Sequence, residues 1–104
     1  MSEETHTFTA SRLTGGNLFY PVRITITPQR VVRIKPHLIG AEEESMPINR
    51  VASVQIRTGL IWSEIRIDST GGTNPILSRG HLKEDARLIR DLIEQFQQRE
   101  SKTG

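Results

Sequence analysis

His6, His37 and His81 are the residues best suited to acid–base or metal chemistry, and they lie far apart in the 104-residue chain. No two of them stand at i,i+4 and there is no cysteine, so a metal centre is not expected. Ser63, Asp68 and His81 supply the residue types of a hydrolytic triad. Nothing around Ser63, however, has the glycine-flanked pattern that holds a nucleophile on a sharp turn. Gly71-Gly72 is not followed by the Lys-Ser/Thr of a phosphate loop and reads as a hairpin turn. Glu42-Glu43-Glu44 has the charge to attract a cation, but three consecutive acids read more simply as a solvated strand or turn edge that resists aggregation. No catalytic residue and no cofactor is expected.

Binding chemistry offers more. Arg23, Arg33, Lys35, Arg57 and Arg66 each alternate with apolar neighbours, which predicts that all five point outward. If their strands adjoin, they form a basic stripe able to meet phosphates; otherwise they belong to an ordinary wetted face shared with Glu64 and Asp68. No aromatic residue interleaves with them, which weakens a nucleic-acid reading. Phe19 and Tyr20, and Trp62 within Leu60-Ile61-Trp62, sit in apolar clusters near expected turns. Trp62 is expected to fill the core or a barrel edge. The alternative for these aromatics is a partner-binding or self-association surface, where such residues are enriched.

Charge gives little direction to the ligand. The formal net charge is +2. Residues 12–79 hold nine bases and five acids, whereas residues 80–104 are balanced. That excess falls short of the clustered charge of a strong nucleic-acid binder. The acidic start Met1-Ser2-Glu3-Glu4 lacks the pattern of a signal peptide, and apolar runs such as Leu60-Ile61-Trp62 are far below membrane-spanning length. A cytoplasmic protein with no transmembrane segment is expected.

The elements that must position these residues are short strands. Turn signals recur at Gly15-Gly16-Asn17, Thr27-Pro28-Gln29, Pro36-His37, Met46-Pro47, Gly59 and residues 71–75. Between them the pattern alternates with period two, placing Val22, Ile24 and Ile26, Val32 and Ile34, Val54 and Ile56, and Ile65 and Ile67 inside. Thr5–Arg12, Ile39–Ser45 and Thr73–Ser78 are expected to complete the set. Pro28 suits the second position of a turn joining Ile24–Thr27 to Arg30–Lys35. After Gly80 the period changes: Leu82, Ala86, Ile89, Ile93 and Phe96 follow at +4, +3, +4 and +3, which predicts an amphipathic helix over about 81–99. Leu88 and Leu92 widen its stripe. The domain is expected to span 5–99, with 1–4 disordered and 100–104 frayed.

Val22–Val32, Met46–Val54, Trp62–Asp68 and the closing Asp85-Ala86…Ile89…Leu92-Ile93 helix occur in an order that resembles a bacterial pleckstrin-homology-like (PH-like) domain over about residues 17–98. The resemblance implies a partly open barrel of about seven antiparallel strands in two near-orthogonal sheets, capped by the C-terminal helix. The basic motif of phosphoinositide-binding relatives is not matched, since Arg23 is followed by Ile24 and Thr25. A shared fold fixes no ligand. The expected function is a non-catalytic interaction module, binding protein or itself. The alternative is binding to an anionic surface, nucleic acid or acidic lipid, through the outward arginines.

Overall fold

Turn chemistry sets the first sheet. Thr27-Pro28-Gln29-Arg30 closes with the Thr27 amide donating to the Arg30 carbonyl at 3.0 Å. The Thr27 hydroxyl accepts from the amides of Gln29 and Arg30, each at 3.2 Å. Proline fixes the second position of this turn at its natural φ. The hairpin joins β2 (Arg23–Ile26) to β3 (Arg30–Pro36), and β1 (His6–Thr9) and β4 (Ala41–Pro47) flank them. The order is β1-β2-β3-β4, antiparallel throughout. A 3-10 turn, Ile48–Arg50, leads to β5 (Val51–Thr58), β6 (Trp62–Ser69) and β7 (Ile76–Leu82), an antiparallel sheet in the order β5-β6-β7. The chain ends in helix α1 (Lys83–Thr103). The computed structural model describes residues 4–14, 17–72 and 74–103. Gly15 and Gly16, read as a turn, lie outside them, as do residues 1–3 and Thr73 in the expected seventh strand.

The protein is thus mainly β, with seven strands in two sheets and one C-terminal helix. No strand pairing joins the sheets among the described residues, so the barrel stays partly open. One corner is tied where the Ser11 amide donates to the Gly80 carbonyl at 2.9 Å. At another, α1 covers the 3-10 turn, and the Gln97 side-chain amide donates to the carbonyls of Ile48 (3.2 Å) and Val51 (2.8 Å). The Ile48 carbonyl also accepts from the Val51 amide that closes the 3-10 turn, so Gln97 adds a second donor where the turn passes into β5.

The helix buries Ala86, Ile89, Ile93 and Phe96 against Ile24, Ile26, Val31, Ile65 and Ile67. Each large side chain contributes roughly 1.5–3 kcal/mol when fully withdrawn from water. This is the stripe read from the sequence, with corrections at its margins. Leu82 ends β7 and is half exposed rather than opening the helix. Leu88 is half exposed too, while Leu92 packs at the edge of the core. The helix starts at Lys83 and runs to Thr103, past the expected end at 99.

Strand β3 presents the opposite face from the one expected. Ile26 stands opposite Val31 and Ile24 opposite Arg33. Directly opposed residues share a face, and Ile24, Ile26 and Val31 are fully buried. Val31, Arg33 and Lys35 therefore face inward, whereas Val32 and Ile34 lie on the outer face with Arg23 and Thr25. Ile24 and Ile67 meet in the core and Ile56 packs against it, but Ile34 does not join them. Strand β7 begins and ends later than the expected Thr73–Ser78. It carries on through Gly80, where its pairing with β6 shifts register.

Candidate interaction surfaces

The five basic positions do not form one stripe. Arg23 sits on the outer face of the first sheet, exposed. Arg33, expected outside, turns inward and bonds Glu44 at 3.1 Å. Lys35 shares that inward side, and its ammonium donates to the Tyr20 carbonyl at 2.6 Å. Arg57 and Arg66 belong to the second sheet, opposite Glu64 and Gln55, and Arg66 pairs with Asp68 at 2.9 Å. Divided between two sheets and two faces, the set offers no continuous track for a polyanion.

The inward turn of β3 creates a polar layer inside the fold. Arg33 faces the β6–β7 ladder, where Ser63 and His81 stand opposite one another. Ser78 Oγ lies 2.6 Å from His81 Nε2. Burial, and then the Arg33 charge, lower the His81 pKa from 6.5 to about 4, so the ring is neutral at pH 7. Arg33 Nε, Ser63 Oγ and His81 Nδ1 are buried without a hydrogen-bond partner among the described residues. The triad drawn from the sequence does not assemble, because Asp68 is at the far end of β6 with Arg66 and Ser53. The Ser78–His81 contact has the composition of a nucleophile–base pair, yet both residues are at most 2% exposed. Such burial withholds the pair from a substrate, and its evident effect is to orient the imidazole. Among the described residues no three His, Cys, Asp or Glu side chains gather as metal ligands would. No helix of theirs is long and apolar enough to cross a membrane.

The acidic run lies on β4, an edge strand, as read from the sequence. Two of its members have local partners, Glu44 with Arg33 and Glu42 with His37 at 2.9 Å.

Apolar side chains accumulate on the connections. In the β1–β2 segment Leu18 and Phe19 are 57% and 74% exposed, and Tyr20 is partly covered. Asn17 holds this segment against the fold: its Oδ1 accepts from the Val22 amide at 3.0 Å, and its Nδ2 donates to Thr14 Oγ1 at 2.8 Å. Leu38 and Ile39 cap the β3–β4 turn, exposed. At the β5–β6 turn Leu60 is 96% exposed and Ile61 61%. With Leu82, Lys83 and Glu84 they line an open groove of about 460 Å³. Trp62 begins β6 half-buried, opposite Leu82, and is not part of the main core. A second cleft, of about 360 Å³, has Phe19, Tyr20, Arg12 and Arg23 in its lining. Phe19, Tyr20 and Arg23 are recognisable in the sequence, but Arg12 is not, since only the folded β1–β2 connection brings these residues together. Leu82 is likewise masked in the sequence by its place on an apparent helical stripe.

No protein-family model matches the chain, and no curated protein matches its sequence.

Proposed function

We propose that this chain is a non-catalytic protein-interaction module of PH-like architecture. It engages a protein partner, a second copy of itself included, through the groove beside the β5–β6 turn. Two antiparallel sheets followed by a C-terminal helix are compatible with that architecture.

The observation that carries the reading is the exposure of Leu60 and Ile61 next to Leu82. Each isolated apolar side chain on a surface is unremarkable, but a cluster around a groove resembles the centre of an interface. Lys83 and Glu84 border it with opposite charges, as the polar rim of an interface does.

Sedimentation velocity over a wide concentration range tests the self-association form. The expected result is a mass that rises with concentration and returns to the monomer value in the Leu60→Asp/Ile61→Asp variant. A chain that stays monomeric throughout removes self-association and leaves a different protein as the partner.

A further inference from the structure

The cleft beneath the β1–β2 connection has a one-sided chemistry. Its lining includes Arg12, Arg23, Phe19, Tyr20, Thr9 and Pro36, with two cations and no acid. Thr9 and Arg23 are cross-strand partners on β1 and β2. Arg12 makes one long bond, from Nη1 to the Leu18 carbonyl at 3.4 Å. Arg23 is exposed, and its guanidinium makes no hydrogen bond or ion pair among the described residues. The Lys35 ammonium, by donating to the Tyr20 carbonyl, fixes the aromatic wall in place. The nearest acids in the sheet do not answer these charges: Glu42 bonds His37, and Glu43 stands beyond Ile34, two strands from Arg23.

We propose that this cleft binds an acidic side chain of a partner polypeptide, with an adjoining apolar residue of that partner laid against Phe19. Guanidinium groups match carboxylates with paired, parallel hydrogen bonds. Arginine and tyrosine beside an exposed apolar ring are also the residue types that dominate protein interfaces. A polyanion is a poorer fit, because two cations suit one or two carboxylates, and the remaining basic residues do not continue the cleft into a track. The site shares no lining residue with the Leu60–Ile61 groove, so the inference goes beyond the function proposed above and does not rest on it.

The test is selection from a random-sequence peptide library displayed on phage, with the full chain immobilised. Selected peptides are expected to carry Asp or Glu beside an apolar residue. A synthetic peptide of that sequence should lose roughly tenfold or more in affinity in Arg23→Gln, since a hydrogen bond to a charged group is broken. Loss should be greater in Arg12→Gln/Arg23→Gln and present in Phe19→Ala. All three side chains are exposed, so circular dichroism and melting should be unchanged. The proposal is overturned by selected peptides without acids, by binding that persists in the double variant, or by failure to select any peptide. Binding to vesicles of acidic lipid with no peptide selected overturns it equally. If Leu60→Asp alone abolishes peptide binding, the groove is the site and the cleft is not.

Discussion

The side-chain nitrogen of Asn17 stands 2.9 Å from the point that a β-carbon on Gly80 would occupy. Gly80 also has φ +85°, a region costly for any side-chain-bearing residue. Through this contact the β1–β2 segment is seated on β7, since Asn17 Nδ2 also donates to the Arg79 carbonyl at 3.3 Å. Gly80→Ala should therefore destabilise the fold by roughly 2–4 kcal/mol, combining strain with displacement of Asn17 and Thr14. Asn17→Ala, which leaves the buried Val22 amide unpaired, should cost roughly 1–3 kcal/mol. Urea titration measures both, and a change below about 0.5 kcal/mol in either would remove this corner from the account.

Stability should depend on pH through His81. Its pKa is 6.5 when exposed and about 4 in the fold, so between these values the unfolded chain binds more protons. Stability is then full above pH 6.5, falls as pH drops toward 4, and levels off below. The shift corresponds to about 3 kcal/mol. Asp85, raised by burial and then by Glu84, has the opposite slope: its contribution is largest in acid and is lost as pH rises through its folded pKa. Denaturant midpoints from pH 4 to 7 measure the sum. His81→Leu should flatten the slope between 4 and 6.5, and an unchanged slope would assign it to other groups.

Phe96 and Leu88 separate the two sides of α1. Phe96 is buried, with the His6 ring at 6.3 Å and the Arg99 guanidinium 5.1 Å from its ring centre. Phe96→Ala should cost roughly 3–5 kcal/mol. Leu88→Ala removes a half-exposed side chain outside the main cluster and should cost well under half of that. Thermal melting of the two variants gives the comparison. Equal losses would mean that the helix is rotated from the orientation described.

The latch on the 3-10 turn gives a third class of effect. Gln97→Leu keeps the volume but removes the donor to the Ile48 and Val51 carbonyls. A loss of roughly 0.5–1.5 kcal/mol is expected, with faster amide exchange at the C-terminal end of the helix. Wild-type exchange in this variant would show that water replaces the bond without penalty.

The helix was legible in the sequence because only one side of a 3.6-residue period collects Ala86, Ile89, Ile93 and Phe96. Its start was not, because Leu82 falls on the same stripe by spacing although β7 continues through it. The facing of β3 was legible in principle. Across the turn Thr27–Arg30, the residue opposite Ile26 is Val31, which fixes Arg33 as inward. Alternation alone missed this, because Val31 and Val32 are adjacent and either can lead the buried row. Of the surfaces, Phe19 and Tyr20 were found as apolar residues near a turn. Their placement beside Arg12 and Arg23 depends on contacts such as Lys35 with the Tyr20 carbonyl, which no local pattern encodes.

Glu4 and Arg99 lie 2.7 Å apart, and His6 approaches Phe96, so the strand that enters the fold and the helix that leaves it run out side by side. Such a layout suits transplantation. The domain can be spliced into a surface loop of a host protein without prying that loop open, or the chain can be joined between the neighbourhoods of Glu4 and Arg99 and opened instead at the β5–β6 turn. Neither rearrangement stretches the chain across the globule, so both should leave the sheets able to form as before.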